Sequence, residues 1–293
     1  MKSRKGIIMA GGKGTRLYPA TKAISKHLMP IFDKPMIYYP LSTLMLCGIK
    51  DILIISTPRD LPIFKELLSD GSQFGINLCY KVQNEPKGIA QAFHISKDFL
   101  KGNKSVLILG DNIFHGNSLQ LKLSKANKQN KGATIFSYNV KDPSSFAALI
   151  FNEKNEIIGI EEKPKYPKTD LAVPGLYFYD EYASEYASTI ICSKNGEYGI
   201  TDLNNIYLRK GNLNVEELRR GFTWIDAGTH QSYLEANQFI YSIENRQGLK
   251  ISCPEEIAFK KKWISVKDLY NQAKKLSSSS YGNYLMKIVK ENK

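Results

Sequence analysis

The chain has 293 residues, 42% of them hydrophobic and 24% charged, which is the composition of a globular protein that can bury a sizeable core. Its longest apolar runs are far shorter than the roughly 18 residues that a membrane-spanning helix needs, so we expect no membrane span. The 41 Lys and Arg residues outnumber the 28 Asp and Glu residues, and the net charge of +13 makes a nucleic acid the first partner to consider.

The positive charge is concentrated near the C-terminus. Nine lysines and two acidic residues lie in the last 36 residues, so this segment alone carries +7. The lysines alternate with apolar residues at helical spacing, which is typical of solvated helix faces, and no nucleic-acid-binding motif accompanies them. We therefore expect no nucleic-acid partner.

The N-terminus and the cysteines bear on the compartment of the protein. The apolar stretch over residues 7–10 is too short for the hydrophobic region of a signal peptide, so we expect a cytoplasmic protein. No two cysteines form a C-x-x-C pair, which disfavours a zinc site, a redox motif and a disulfide framework. The prediction is four free and mostly buried thiols, at Cys47, Cys79, Cys192 and Cys253.

The first half of the chain alternates short β-branched runs with helical patterns, which is typical of βαβ units and a mostly parallel sheet. The predicted strands cover residues 6–10, 51–57, 76–82 and 105–109. The predicted helices run from about residue 41 to Gly48, over 60–68 and over 88–100. The strand over 105–109 is continuously apolar, which suits the centre of a parallel sheet, and Asp111 follows it.

The second half contains more strands than helices, so the sheet is expected to become mixed. Strands are predicted over 133–140, 148–151, 156–161, 173–179 and 214–218, and a tight segment over 224–226. Helices are predicted over 118–128, 180–188, 201–209 and 231–247, with a loop at 277–280 between C-terminal helices. The pattern predicts a Rossmann-like α/β fold, with a mixed, mostly parallel sheet flanked by helices and a helical C-terminal part.

A glycine-rich turn follows the first strand directly, with Gly11, Gly12 and Gly14 close together. Glycines let the backbone approach a ligand and point consecutive N–H groups at phosphate oxygens. The spacing is not that of a P-loop, and Leu17 stands where the dinucleotide-binding fingerprint needs a third glycine. An isolated glycine cluster of this kind is also compatible with a simple turn that binds no ligand.

Charged residues near this turn favour the functional interpretation. Arg16 and Lys26 follow the glycines, and the carboxylates of Asp111 and Asp226 come at the ends of later strands. Mg²⁺ prefers oxygen ligands, commonly one or two carboxylates together with phosphate oxygens and water. The combination therefore predicts Mg²⁺-assisted nucleotidyl transfer.

Blocks of sequence along nearly the whole chain resemble the sugar-phosphate nucleotidylyltransferases, and among them the family of glucose-1-phosphate thymidylyltransferases. The blocks are A-G-G-x-G-T-R-L-x-P at 10–19, S-K-x-L-x-P at 25–30, K-P-M-I-Y-Y-P-L-S-T-L-M at 34–45, G-D-N-I-F at 110–114, E-E-K-P at 161–164, G-L-Y-F-Y-D at 175–180 and R-Q-G-L-K at 246–250. The resemblance implies a nucleotide-diphospho-sugar transferase type of fold. It also implies a nucleotidyltransferase α/β domain over 1–250, including the sugar-binding part, with a helical extension over 251–293 packed on it.

The resemblance further implies the reaction. The phosphate oxygen of glucose 1-phosphate would attack the α-phosphate of dTTP in line, releasing pyrophosphate and giving dTDP-glucose for deoxysugar (dTDP-rhamnose type) and surface polysaccharide synthesis. Arg16, Lys26 and Lys163 would be the catalytic cations, and Asp111 and Asp226 would hold Mg²⁺. A homotetramer would be the assembly.

Binding residues are implied in the same way. The nucleotide-binding positions would be Gly11, Gly12, Gly14, Thr15, Gln83, Gly88 and Asp111. The sugar-binding positions would be Ala147, Glu162, Lys163 and Val173. In both sets, side-chain amides and carboxylates would bond the polar edges of the ligand while glycines permit close approach.

Several positions depart from the family pattern, mostly in the sugar half. Ala147 stands where the family usually has glycine, and the other departures are His27, Asp170, Pro174, Gly199 and Ala227. The alternatives that remain open are therefore the same chemistry with another sugar 1-phosphate or with UTP, and a non-catalytic sugar-nucleotide sensor. The unchanged catalytic and metal-binding set argues against the sensor.

Overall fold

A ten-stranded mixed sheet forms the centre of the computed structural model, which describes residues 4–193 and 196–292. The strands are β1 (Lys5–Ala10), β2 (Pro30–Ile31), β3 (Lys34–Pro35), β4 (Asp51–Ser56), β5 (Asn77–Val82), β6 (Ser105–Leu109), β7 (Asn112–Gly116), β8 (Ala133–Asn139), β9 (Ala147–Phe151), β10 (Ile157–Glu162), β11 (Leu171–Val173), β12 (Leu176–Tyr179), β13 (Leu213–Leu218) and β14 (Phe222–Asp226). The helices are α1 (Tyr38–Leu46), α2 (Leu61–Leu68), α3 (Gln91–Ile95), α4 (Lys97–Leu100), α5 (Leu119–Lys128), α6 (Ala183–Ser188), α7 (Ile200–Arg209), α8 (His230–Gln247), α9 (Pro254–Lys260), α10 (Val266–Lys275) and α11 (Ser280–Glu291).

The first part of the sheet is parallel, in the order β6-β1-β4-β5. Ile8 in β1 pairs with Ile54 and Ile108 on its two sides, and these side chains share one core with α1 and the C-terminal helices. The adjacent Ile7 points to the opposite face, into a second core. Strands covered on both faces are apolar throughout, which explains the continuous runs in the sequence.

The remainder of the sheet is largely antiparallel. β12 pairs antiparallel with β6, and the order continues β12-β8-β11-β9-β10 with antiparallel neighbours, while β13 runs parallel to β8. The predicted α/β class with a mixed sheet and flanking helices is thereby confirmed.

The predicted helix over 88–100 is wrong over its first residues and is interrupted later. Residues 88–90 form a loop, because the backbone of Tyr198 donates to the carbonyl of Lys87 and accepts from the N–H of Ala90. Helix α3 begins only at Gln91, and α3 and α4 meet at Ser96. The peptide groups that a longer helix needs are thus used by a segment distant in sequence.

The predicted strand over 173–179 is wrong at residues 174 and 175, near its start, where the chain divides into two strands, β11 and β12. Pro174 has no N–H for a sheet ladder, and the N–H of Gly175 donates to Oδ1 of Asn112 at 2.9 Å. The segment over 224–226, predicted as a tight segment, is instead part of strand β14, which pairs antiparallel with β7 and places Asp226 opposite Asn112.

Helices α9, α10 and α11 extend the core on the side of the sheet that carries α1. Leu269 and Leu285 are fully buried and belong to the same core as Ile8. The loop predicted near residues 277–280 lies between the end of α10 and the start of α11. Among the residues described, no helix is both long enough and apolar enough to cross a bilayer.

All four cysteines are free, as predicted, but the expectation that most are buried is wrong. Cys47 and Cys253 are buried, Cys192 is half-buried and Cys79 is exposed. Cys79 lies in β5 at the edge of the sheet, where one strand face is less covered than in the centre.

Candidate active site

A cleft lies where the parallel strands end, at the carboxyl edge of the sheet. This cavity of about 770 Å³ is lined by the turn after β1, by Gln83 after β5, and by Asp111 after β6. Ligands of open α/β sheets bind in crevices at this edge because strand-to-helix loops converge there. The sheet order thus brings together residues that are far apart in sequence.

The glycine-rich turn forms one wall of this cleft. A Cβ at Gly11 would lie 1.9 Å from Oε1 of Gln83, so only glycine lets this amide pack against the turn. A Cβ at Gly12 would meet no protein atom within 4 Å, which leaves its backbone open to a ligand. Gly14 has a φ of +64°, and its carbonyl accepts a hydrogen bond from Oγ1 of Thr21.

A buried ion pair joins Lys26 and Asp111 at the bottom of the cleft. Burial favours the neutral form of Asp111, but the Lys26 ammonium and the Asn112 amide favour the carboxylate and hold the pKa of Asp111 well below its usual value. Asp111 is therefore charged at neutral pH, and its carboxylate holds Lys26 facing the cleft.

Asp226 lies next to this pair, at the end of β14. Burial and the neighbouring Asp111 carboxylate raise the pKa of Asp226 to about 7, although Lys26 and Arg16 oppose the shift. The nearest guanidinium nitrogen of Arg16 is 3.9 Å from Oδ2 of Asp226, and its side chain is 57% exposed. The positive charges nearby do not fully neutralise the two adjacent carboxylates, Asp111 and Asp226. A divalent cation bound to both would supply the missing positive charge.

The two carboxylates suit Mg²⁺ better than a metal ion whose ligands must all come from the protein. In the described part of the chain, no group of three or more His, Cys, Asp and Glu side chains could hold a metal. Mg²⁺ commonly uses one or two carboxylates and takes its remaining ligands from water and phosphate oxygens. Asp111 and Asp226 satisfy that requirement.

The buried His27 helps to fix the position of the Lys26–Asp111 ion pair. Burial, and then the charge of Lys26, lower the pKa of His27 to about 3, so the ring is neutral. Its Nδ1 lies 3.0 Å from Oγ of Ser25, and its ring packs so closely on Gly110 that a Cβ there would lie 2.6 Å from Cδ2. His27 thus fixes the backbone that carries Lys26 and the approach of β6 to it.

A second cavity of about 170 Å³ adjoins the first and shares Asp111, Glu162 and Lys163 with it. Ala147 lies in this cavity, between Val173 of β11 and Glu162 of β10 in the sheet register. Oε2 of Glu162 accepts a hydrogen bond of 2.5 Å from Thr201.

Lys163 and Arg16 bring positive charge to the smaller cavity. Lys163 has a φ of +46°, a conformation that residues other than glycine seldom adopt, and its N–H donates to the carbonyl of Phe146 at 2.9 Å. Backbone strain of this kind persists where the surroundings hold it, and it often occurs at functional sites.

Most of the residues named from the sequence line one of the two cavities. The larger cavity contains Gly11, Gly12, Lys26, Gln83, Gly88, Asp111, Glu162 and Lys163, and the smaller one adds Arg16, Ala147, Val173 and Asp226. Gly14 and Thr15 line neither cavity and belong to the turn that carries Arg16.

The sequence analysis did not predict a buried group of hydrogen bonds behind the carboxylates of Asp111 and Asp226. Oδ1 of Asn112 accepts hydrogen bonds from the N–H of Gly175 at 2.9 Å and from the Trp224 indole at 2.7 Å. These hydrogen bonds join β7, which begins directly after Asp111, to β14, which ends at Asp226. The G-D-N block contained Asn112, but its partners follow only from the pairing of β7 with β14.

Comparison with known proteins identifies relatives along the entire chain. A family model described as nucleotidyl transferase matches residues 5–243. A protein of Xanthomonas campestris pv. campestris (strain B100), named glucose-1-phosphate thymidylyltransferase, is 52% identical over 290 residues, covering 99% of this chain and 98% of its own length. A protein of Mycobacterium tuberculosis (strain H37Rv) with the same name is 48% identical over 288 residues, covering 98% and 100%.

A solved structure has the same fold. It is a Bacillus anthracis protein in complex with sucrose, 41% identical in sequence, with a TM-score of 0.75. The match covers 81% of this chain and 95% of that chain.

Proposed function

The chain belongs to the nucleotidyl transferase family, and we propose that it transfers the thymidylyl group of dTTP to α-D-glucose 1-phosphate, giving dTDP-glucose and pyrophosphate. Relatives about 50% identical over their whole length carry the name of this activity. The observation that carries the proposal is the convergence of the glycine turn, the Lys26–Asp111 pair and Asp226 on one cleft.

The reaction forms a bond between a phosphate oxygen of the sugar phosphate and the α-phosphorus of dTTP. The bond from that phosphorus to the bridging oxygen of the β-phosphate breaks, and the electron pair leaves with pyrophosphate. Such chemistry depends on positioning and on stabilising negative charge, and it needs no protein nucleophile. The two cavities that share Asp111 supply three cations: Arg16, Lys26 and Lys163.

Each cation has a separate role in this proposal. Lys26 contacts the reacting phosphates from the bottom of the cleft, where Asp111 already orients its ammonium. Arg16, exposed at the mouth of the smaller cavity, binds the leaving pyrophosphate, and Lys163 binds the phosphate of the sugar. Mg²⁺ held by Asp111 and Asp226 would neutralise phosphate charge.

The nucleotide and sugar occupy different parts of the cleft. The turn of Gly11 and Gly12 receives the phosphates and the nucleoside, and Gln83 with Gly88 receives the base. Glu162, oriented by its hydrogen bond from Thr201, bonds hydroxyl groups of the sugar. The backbone around Val173 lines the same part of the sugar-binding region as Glu162.

A second candidate substrate is favoured by the methyl group of Ala147, which occupies space in the smaller cavity. Another sugar 1-phosphate with less bulk at the facing position would fit there as well. The nucleotidyl-transfer chemistry is the same in both cases, because the same three cations, Arg16, Lys26 and Lys163, would surround the phosphates.

The wider context of the proposal rests on the family resemblance. It comprises Mg²⁺ as the metal, a homotetramer, a cytoplasmic location, and a supply of dTDP-glucose for deoxysugar and surface polysaccharide synthesis. The division into an α/β part over 1–250 and a C-terminal extension over 251–293 belongs to the same proposal.

Pyrophosphate release by the purified protein with Mg²⁺ tests the proposal, with dTTP and UTP crossed against glucose 1-phosphate and other sugar 1-phosphates. We expect the highest kcat/KM with dTTP and glucose 1-phosphate. A preference for another sugar that Ala147→Gly shifts back toward glucose would support the second candidate. No release across the panel, with dTTP still bound, would contradict the enzyme assignment and favour a sensor.

A further inference from the structure

Gln91 contacts the side-chain amide of Gln83, the residue proposed to bind the base. Nε2 of Gln83 donates to Oε1 of Gln91 at 2.7 Å. The backbone N–H of Lys87 donates to the same oxygen at 2.9 Å, and it also lies 3.0 Å from the carbonyl of Glu85. Gln83 is 2% exposed, so its side chain has little freedom to bond elsewhere.

The backbone N–H determines the orientation of both amides in this chain. A peptide N–H can only donate, so the Gln91 atom that faces Lys87 is the oxygen. That oxygen can only accept, so the Gln83 atom that faces it is the nitrogen. Oε1 of Gln83 consequently lies beside Gly11, where a Cβ would be only 1.9 Å away.

The positions of the donor, Nε2, and the acceptor, Oε1, on the Gln83 amide determine which pyrimidine base can pair with it. Thymine and uracil present an N3–H donor next to the O4 acceptor, whereas cytosine presents an N3 acceptor next to its N4 amino donor. An amide whose oxygen and nitrogen pair with the first edge must rotate by half a turn to pair with the second. In the described residues, Oε1 of Gln83 accepts no protein hydrogen bond, so it is available to the base.

Rotation of the Gln83 amide would bring its oxygen against the oxygen of Gln91. The hydrogen bond of 2.7 Å would become a repulsive contact between two acceptors, and Gln91 could not rotate in response without turning its own nitrogen toward the N–H of Lys87. We propose that Gln91 is a positioning residue that locks the Gln83 amide in the orientation that reads 4-keto pyrimidines and disfavours cytosine. This inference rests on the proposed function, because it assumes that Gln83 faces the base.

The test compares Gln91→Met with Gln91→Glu in the full-length protein. Methionine has a similar length but offers no strong acceptor, so the Gln83 amide can rotate. We expect the ratio of kcat/KM for dTTP over dCTP, with glucose 1-phosphate, to fall about tenfold or more, the equivalent of about one hydrogen bond. Glutamate offers acceptors to both Lys87 and Gln83 and should keep the wild-type ratio within about threefold.

Calorimetric titration of dTTP and dCTP separates this inference from the proposed function, since it needs no turnover and no sugar. We expect the ratio of the Kd for dCTP to the Kd for dTTP to fall in Gln91→Met and to stay near the wild-type value in Gln91→Glu, as the ratio of kcat/KM values does. Gln91→Lys, which places a donor at this position, provides a second disruptive variant and should lower the ratio as well.

Three results would overturn the inference. The wild type could bind both nucleotides equally, both disruptive variants could leave the ratio unchanged, or Gln91→Met and Gln91→Glu could alter the ratio to the same extent. Either of the last two results would mean that Gln91 packs against Gln83 without fixing the orientation of its amide. A wild type that discriminates in binding but shows no turnover would contradict the proposed function and leave the positioning role supported.

Discussion

Lys26 has two partners at different stages of the proposed reaction. Without substrate its ammonium is paired with the buried Asp111 carboxylate, and with substrate it would also contact phosphate oxygens. A buried charge that loses its partner is costly, so the pair keeps Lys26 oriented in the cleft before a ligand arrives. Pre-orientation of this kind is a large part of catalysis by electrostatic stabilisation.

Lys26→Met is expected to lower kcat for pyrophosphate release by about 10²–10³, the usual loss when one charge-stabilising contact is removed. It should also reduce the free energy of unfolding by roughly 3–5 kcal/mol, because Asp111 stays buried without its cation. Steady-state kinetics and denaturant unfolding measure the two effects. The control is Lys22→Met, at an exposed lysine outside both cavities, which should match the wild type. Equal kinetics for the two variants would exclude Lys26 from the reaction.

The position proposed for Asp226 as a metal ligand comes at a cost to the metal-free fold. Its pKa of about 7 lies above the value of 3.8 expected for an unfolded chain, so its protonated form is favoured in the fold. The associated stability is fully present below about pH 4 and is lost as the pH rises through 7.

Asp226→Asn removes this carboxylate, and we expect it to stabilise the metal-free protein by roughly 1–3 kcal/mol at pH 8. The gain should be smaller at pH 5 because the wild-type side chain is then largely protonated in the fold. Denaturant unfolding in the presence of a chelator, at both pH values, measures the difference. A variant less stable than the wild type at pH 8 would show that the two carboxylates do not repel each other.

At the scale of elements, the apolar β-branched runs predicted the parallel strands within a residue or two, because β1, β4 and β6 are buried on both faces. The errors occur where a distant segment competes with the local pattern. Residues 88–90 pair with the backbone of Tyr198, and Asn112 takes the N–H of Gly175 between β11 and β12. Such partners become known only when the sheet order is known.

The junction of α10 and α11 offers a test of packing between elements. A Cβ at Gly282 would lie 2.0 Å from the carbonyl oxygen of Leu276, so the turn that ends α10 approaches α11 as closely as glycine allows. Intrinsic helix propensity alone would make alanine better than glycine by about 1 kcal/mol. The steric conflict reverses that sign, since overpacking typically costs 1–3 kcal/mol.

Gly282→Ala should therefore lower the Tm, and Asn283→Ala, at the next and exposed position of α11, serves as the matched control. Differential scanning calorimetry on both variants measures the effect. The packing argument would fail if Gly282→Ala were as stable as the control.

At the scale of the whole molecule, the site combines residues from both halves of the chain. The glycine turn and Asp111 come from the parallel part of the sheet, while Glu162, Lys163 and Asp226 come from later elements. The sequence blocks indicated these residues one by one, and the structure brings them to one edge. Gln91, Thr201 and Trp224 carried no such signal, because their roles depend on hydrogen bonds between distant elements.

The central claim is that the α-phosphate of dTTP moves to a sugar phosphate. Incubation of the protein with dTTP labelled at the α-phosphorus, with Mg²⁺ and glucose 1-phosphate, tests it most directly. The account predicts that label enters a phosphatase-resistant sugar nucleotide, in equal amount to the pyrophosphate released, and that Lys26→Met slows this transfer about 10²-fold or more. Label that stays in dTTP, or that appears as dTMP whether or not a sugar phosphate is present, would contradict it.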